Sequence, residues 1–490
     1  SLRQNLSTMC LHMLSKFCLK SAQKLLILSN KANFERGLLI LFLALAPSLM
    51  ANFEEENALI VCENGLEMFY WDLDFISQAE QTLEISGCLC GGQIFLDLLA
   101  AIDVRMQECS ELQVYILSSS ILLEDADRAT IHKMEKKYPQ NFHFQLSANV
   151  VNLLPDCGHI ENHVKCVIVD ETYFSAGGTN LEEMLCTEGT YTPERDRKKM
   201  VGGEMFPLGS RDMDLVGRGP IVKELRTLFY KLYAMWEDYA QKSYHKFISD
   251  PEEFKDKTHY KPVDGMRRPF VERFETSEDL VNTSHVKLLY SGPMHSPNKI
   301  SQEYERLINL AKSEITIANL YFNPTQNVLD ACMSAANRKV DLTVISNGIN
   351  DLSPSFNAVF CWANRINYVP IFYGRNYFLW EFRACIDAPL KKSKIYEYHV
   401  KDIVYHKKVM VIDRHYTLIG SYNLGLKSDE KDYEIVLVID SPEIAEQTLK
   451  VLERDRSLSL PVNPKDAREW YFNPLTAYLG RTQKQFHSFI

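Results

Sequence analysis

The chain has 490 residues, 46% hydrophobic and 24% charged, which is the balance of a globular protein and excludes a disordered or fibrous one. That length exceeds one ordinary hydrophobic core, so two domains or a duplicated fold are expected. A formal net charge of −10 argues against a broad, sequence-independent coating of nucleic acid, while leaving room for a small basic pocket.

Residues 37–50, GLLILFLALAPSLM, are an apolar stretch of 14 residues, short of the ~20 that a membrane span needs. Ala44 and Ala46 mimic a signal cleavage site, but the 36 residues before the stretch are long for the leading region of a signal, and Pro47 would follow the cut. A core or membrane-surface helix is the ordinary alternative. A membrane-associated or cytoplasmic protein is favoured, with export through residues 37–50 left open. Cys88 and Cys90, one residue apart in a predicted strand, read as buried free thiols. No Cys-x-x-Cys pair occurs among the twelve cysteines, and a reducing compartment is expected.

Beyond the apolar stretch, helix and strand signals alternate. LDFISQAEQTLEISG (73–87) reads as an amphipathic helix running into a strand, QIFLDLLAAIDVRM (93–106) as a second helix, and LQVYILSS (112–119) as a further strand. The order recurs in ISQEYERLINLAKSEITIANLYF (300–322), QNVLDACMSAANRKV (326–340) and VDLTVISN (340–347). Such alternation predicts an α/β fold. Residues 1–58 form an N-terminal helical and apolar segment, 59–240 a first repeat, 241–284 a charged linker or insertion, 285–460 a second repeat, and 461–490 a tail. The aromatics Trp470, Tyr471, Phe472 and Tyr478 suggest that the tail docks on the body or meets a lipid interface. A polar insertion, 187–204, carries Arg195, Arg197, Lys198 and Lys199; a solvated loop is its ordinary reading, contact with an anionic substrate the sharper one.

Each repeat also carries the same composite motif. HVKCVIVD (163–170) places His163 and Lys165 two apart, then an apolar run closed by Asp170. YHKKVMVID (405–413) does the same with His406, Lys408 and Asp413. Side chains two apart on a strand share a face. An imidazole and an ammonium on one face are a poor choice for a core and a sensible one for gripping phosphate. A lone His-x-Lys would be an ordinary solvent-facing strand end. Here six residues after each aspartate stands a second cluster, GGTN (Gly177, Gly178, Thr179, Asn180) and GSYN (Gly420, Ser421, Tyr422, Asn423), and two copies at equal spacing exclude chance.

Two HxK(x)4D(x)6G(G/S)xN motifs in two α/β repeats resemble the phospholipase D superfamily over most of residues 60–455. The style is that of its bacterial cardiolipin synthase and phosphatidyltransferase branch, and is similar to phospholipase D-like proteins of obligate intracellular bacteria. RDMDLVGRGPIVKELRTLFYKLYAMW (211–236), SGP (291–293), YFNP (321–324) and IYEY (395–398) carry that branch resemblance. Two features depart from it. Only one short apolar stretch stands where that branch has membrane-spanning helices, and LGLKSDEKDYE follows GSYN where the branch has an Arg-Ser pair.

The resemblance implies two repeats packed together with one active site at their interface. It implies phosphodiester cleavage or transfer on a phospholipid through a covalent phosphohistidine. His163 is the expected nucleophile and His406 the general acid and base. Lys165 and Lys408 would neutralise the phosphate oxygens, with no metal and no cofactor required. Asn180, Asn423, Ser421, Thr179 and Gly178 are the expected phosphate-binding residues, and Gly177, Gly178 and Gly420 would allow close backbone approach. An orienting carboxylate is expected for each imidazole: Asp212, with Asp214 as alternative, for His163, and Glu434 for His406. Asp170 and Asp413, in the motif's catalytic set, would hold the turn after the strand. The expected partner is a phospholipid with peripheral membrane contact; nucleic acid is the less favoured substrate, and a monomer suffices for one site. A nuclease of the same superfamily and an inactive membrane-associated scaffold are the competing readings.

Overall fold

The computed structural model describes residues 56–147, 160–196, 207–242, 249–255, 269–283, 285–349, 361–374, 388–478 and 480. The apolar stretch 37–50 and the cations Arg197, Lys198 and Lys199 lie outside the described residues. Among the described helices none is long and apolar enough to cross a membrane.

From Asn57 onward the chain builds two eight-stranded sheets of matching design. The first is ordered Val281–Thr283, Asn57–Cys62, Asp214–Arg218, Tyr173–Gly177, Cys166–Val169, Thr82–Gly87, Gln113–Ser118, Phe142–Leu146. The second runs Val286–Ser291, Glu434–Asp440, Tyr416–Gly420, Lys408–Ile412, Glu314–Asn319, Asp341–Asn347, Ser393–Tyr398, Ser459–Pro461. Setting aside the edge strands Val281–Thr283 and Ser459–Pro461, the two sheets correspond strand for strand. Both mix parallel pairs, such as Thr82–Gly87 with Gln113–Ser118, and antiparallel pairs, such as the motif hairpins. The predicted helices appear as Gly65–Ile76, Gly92–Glu108, Lys299–Leu310 and Gln326–Asn337. Asn64 and Asn298 start two of them, each side-chain carbonyl accepting backbone N–H groups of the first turn.

These helices cover the outer face of each sheet, in two separate apolar cores. A third core draws on both repeats. In it the helices Ile221–Gln241 and Pro442–Ser457 lie on the inner faces, with Trp236, Tyr239 and Tyr433 among its largest buried side chains. The two repeats therefore share an interior.

Residues 241–284 do more than link. Phe274 is fully buried against the rings of Trp71, Phe75 and Tyr173, and Val281–Thr283 adds an edge strand to the first sheet. In the tail, the helix Pro464–Phe472 docks on the helix Tyr368–Tyr373, and Trp470 lies 4.0 Å from the Arg365 guanidinium. Cys88 and Cys90 are buried free thiols.

The motif aspartates sit at the far end of their strands, roughly 20 Å along the chain from the histidines. Asp170 and Asp413 both adopt left-handed backbone, with φ 52° and 53°, a conformation that Asp tolerates in turns. Asp170 accepts the backbone N–H groups of Glu80, Gln81 and Thr82 at 2.6–2.8 Å. Asp413 does the same for Lys312, Ser313 and Glu314 at 2.7–3.1 Å. Each clamps the start of the neighbouring strand, so neither belongs with the catalytic groups. Against a burial that would raise it, the Ser313 and Lys312 donors hold the Asp413 carboxyl below its ordinary value. A depressed folded value gives stability above the unfolded pKa that is lost as pH falls through the folded one. Because solvent screens this partly exposed carboxylate, Asp413→Ala is expected to lower stability by about 1 kcal/mol at pH 7, with the gap closing below about pH 4, as urea denaturation at the two pH values will measure.

Candidate active site

Two short backbone bridges join the repeats and build the site. Ile403–Tyr405 runs parallel to Gly209–Arg211, with Tyr405 opposite Arg211, and His406 donates its N–H to Arg211 O at 2.8 Å. On the other side Asn162 bridges to Tyr433, and His163 donates its N–H to Tyr433 O at 3.0 Å. Each bridge stops one residue short of a carboxylate, Asp212 in one case and Glu434 in the other.

The histidine–carboxylate pairs are therefore crossed. His163 Nδ1 lies 2.9 and 3.0 Å from the two oxygens of Glu434, and His406 Nδ1 lies 2.6 Å from Asp212 Oδ2. The sequence assignment, Asp212 for His163 and Glu434 for His406, is corrected to the reverse. Its premise was proximity along the chain. What decides the pairing is the bridges, which lay each histidine beside the carboxylate strand of the other repeat. A carboxylate accepting from Nδ1–H fixes the tautomer that presents Nε2 to a substrate.

Both lysines fold back toward their own histidine. Lys165 Nζ donates to His163 O at 2.9 Å, and Lys408 Nζ donates to His406 O while lying 2.9 Å from His406 Nδ1. The histidines are 8% and 9% exposed and the lysines 3% and 1%, so the imidazoles are the outermost of the four. Burial, then Lys165 and Lys408, keep the His163 imidazole well below its ordinary range. Burial and Lys408 take His406 down to about 4, with Asp212 opposing. Burial, reinforced by Lys165, brings Lys408 down to about 8. Burial raises Glu434 to about 7, against the pull of Lys165 and two serine hydroxyls. For Asp212 burial is outweighed by Lys408 and His406, which hold it ionised. Each lysine acts on the histidine of the other motif, so the four groups form one electrostatic unit.

Several expected phosphate ligands have other work. Thr179 gives its N–H and its hydroxyl to Asp214, and Ser421 Oγ donates to Glu434 while accepting from Ile435 N–H at 3.0 Å. Asp214 thus braces the loop after motif 1 and pairs with neither histidine. Asn180 Oδ1 accepts from Leu89 N–H at 3.2 Å, and Asn423 Oδ1 is buried without a hydrogen-bond partner. Arg195 spends its guanidinium on the backbone oxygens of Glu183 and Leu208, as a loop clasp. The glycines admit carboxylates and backbone rather than phosphate. A Cβ on Gly178 would stand 2.2 Å from Asp212 Oδ1, and one on Gly420 2.2 Å from Ile435 O.

Sequence reasoning missed Ser428, whose hydroxyl donates to Glu434 Oε1 at 2.5 Å. It also missed Lys427, buried and paired with Asp432 at 2.9 Å and with Glu161 of the other repeat at 2.6 Å. Lys427 and Ser428 stand where the resembling branch has its Arg-Ser pair, and that position was the available signal. His163, Asp432 and Glu434 are the described residues whose ligand atoms come within 4.8 Å of one another, as a metal would require. Asp432 is engaged by Lys427, and Glu434 by His163, Ser421 and Ser428.

Gly178→Ala is expected to push Asp212 off His406 Nδ1, whereas Ser421→Ala removes the hydroxyl's hydrogen bonds to Glu434 and Ile435 and leaves the His163–Glu434 pair in place. Crystal structures of the two variants will check both outcomes.

The family described as "Cardiolipin synthase, PLD-like domain" matches residues 304–456. Cardiolipin synthase A of Buchnera aphidicola subsp. Acyrthosiphon pisum (strain APS) is 29% identical over 155 residues, 32% of this chain and 27% of that protein. Cardiolipin synthase 1 of Staphylococcus epidermidis is 22% identical over 398 residues, 80% of this chain and 65% of that protein. The matched regions thus span about a third or less of the first curated relatives, at 27% and 32% of their length. The crystal structure of phosphatidylserine synthase from Haemophilus influenzae Rd KW20 shares the fold, with a TM-score of 0.60 and 14% identity over 88% of this chain and 95% of that one. Two motif-bearing repeats, the fold they build and the relatives they match make this chain similar to the phospholipase D superfamily, and within it to the cardiolipin synthase branch.

Proposed function

We propose that the protein cleaves a phosphodiester of a phospholipid and passes the phosphatidyl group, through a phosphohistidine, to water, an alcohol or a second lipid. The observation that carries this reading is the pair of imidazoles, each held by a carboxylate at Nδ1 and flanked by a lysine. His163 Nε2 attacks phosphorus; the P–N bond forms as the P–O bond to the leaving alcohol breaks. His406, protonated, gives its Nε2 proton to the departing oxygen. The neutral His406 then takes the proton of the incoming hydroxyl, whose oxygen displaces His163 from phosphorus.

The electrostatics support these roles. Burial and the lysines keep His163 neutral, as a nucleophile must be. The ionised Asp212 favours an imidazolium at His406, and a bound phosphate anion adds to that pull against the burial and the lysine charges that otherwise keep the imidazole neutral. Lys165 and Lys408 stabilise charge on the phosphoryl oxygens. The names of the relatives, cardiolipin synthases and a phosphatidylserine synthase, support a phosphatidyl substrate and a lipid or alcohol acceptor. Such a substrate demands contact with a membrane surface. One chain supplies both histidines, so a monomer suffices.

The test is a product assay on mixed labelled phospholipids, with and without a primary alcohol. Phosphatidic acid that shifts to phosphatidyl-alcohol as alcohol is added is the expected result. His163→Ala and His406→Ala are each expected to lower the rate by about 10²–10⁴-fold, with acid-labile label trapped on the wild type and absent from His163→Ala. No lipid product, or a trapped label that survives His163→Ala, would overturn the reading, and cleavage of a single-stranded oligonucleotide instead would make the protein a nuclease.

A further inference from the structure

The motif at 405–413 carries one more lysine than its counterpart. Lys407 follows His406, whereas Val164 follows His163. Strand alternation sends Lys407 away from the catalytic face, onto the side shared by Tyr405 and its cross-strand partner Arg211. All three converge on Asp455, near the end of the helix Pro442–Ser457. Asp455 Oδ1 accepts from Arg211 Nε at 2.8 Å, and Oδ2 accepts from the Tyr405 hydroxyl at 3.0 Å and pairs with Lys407 Nζ at 2.6 Å. Asp455 and Lys407 are fully buried and Arg211 is 1% exposed. The remaining guanidinium nitrogens reach Glu188 O and Glu63, which also holds Arg454. Three cations, Arg211, Lys407 and Arg454, thus share two carboxylates, Asp455 and Glu63.

The other half of the site has its own buried ion group, Lys427 with Asp432 and Glu161, but no charge at the position matching Lys407. Behind His163 and Glu434 lie Val164, Tyr433 and Trp236, with the last two rings 5.9 Å apart. A buried ion cluster is seldom more stable than apolar residues of the same volume, and Val164, at the position matching Lys407, is such an apolar alternative. Stability alone does not explain the charged version. Its placement does. Arg211 is the residue before Asp212, and Lys407 the residue between His406 and Lys408.

We propose that Asp455 is a positioning residue for the His406–Asp212 pair. By tying Arg211, Tyr405 and Lys407 to one helix, it fixes the two strand ends that carry the imidazole and its carboxylate, and leaves the His163 half untouched. Assigning acid–base work to that half rests on the proposed function; the positioning itself does not. Asp455 is held ionised by Lys407 and Arg211 against its burial, which keeps the clamp charged.

The test uses the full chain with labelled histidine and NMR detection of the ring protons. In Asp455→Asn the His406 Nδ1–H resonance is expected to weaken and its titration to move by about one pH unit, with the His163 resonances unmoved. On a phosphodiester substrate kcat is expected to fall tenfold to a hundredfold with KM within about twofold, and Asp455→Glu to recover part of it. Asp455→Asn strands a buried cation, so Asp455→Asn/Lys407→Met, which removes one, is read in the same way should the single variant not fold. A folded variant with unchanged His406 resonances would overturn the proposal, as would equal changes at His163, which mean general loosening. Absence of turnover in the wild type would count against the proposed function and not against this assignment, which the resonances decide alone.

Discussion

The site depends on two backbone bridges between the repeats. A hydrogen bond from His406 N–H to Arg211 O, and one from His163 N–H to Tyr433 O, lay each histidine alongside the strand that carries the other repeat's carboxylate. Imidazole orientation, tautomer and charge all follow from that placement. The shared inner core and the helices Ile221–Gln241 and Pro442–Ser457 keep the two strand ends in register. Neither repeat holds a complete histidine–carboxylate pair by itself.

Within this symmetric frame the halves differ in ways that bear on chemistry. Glu434 takes hydrogen bonds from Ser421 and Ser428, while Asp212 presses against a glycine. Behind the second pair Lys407 and Arg211 meet on Asp455, whereas the matching position behind the first is Val164, with the Tyr433 and Trp236 rings nearby. The carboxylates are unequal, one raised toward neutrality by burial and one held ionised by its cations, so the two imidazoles do not share one electrostatic setting.

Much of this was legible in the sequence. Period and spacing gave the helix–strand alternation, the duplication and both His-x-Lys pairs, because those signals are local. The carboxylate partners were named as residues but matched to the wrong histidines, because strand bridges between repeats leave no mark in linear order. Thr179 and Ser421 looked like phosphate ligands since their hydroxyls can bond anions; nothing local shows that Asp214 and Glu434 claim them first. The charged run 241–284 hid Phe274 and the short strand Val281–Thr283, where a single apolar residue, Val281, suffices once a sheet edge is waiting. Asp455 was invisible because it sits 48 residues beyond Lys407 on a helix that reads as ordinary amphipathic surface.

The crossing of the pairs has a consequence for how such a site could change over time. Two separate copies of one repeat, related by a twofold axis, would assemble the same crossed pairs, and every substitution would then appear twice. Joining the copies in one polypeptide lifts that constraint. Gly178 opposite Ser421, and Val164 opposite Lys407, are differences that a symmetric assembly of identical chains cannot hold. Covalent linkage is what lets one half of the cleft specialise without altering the other.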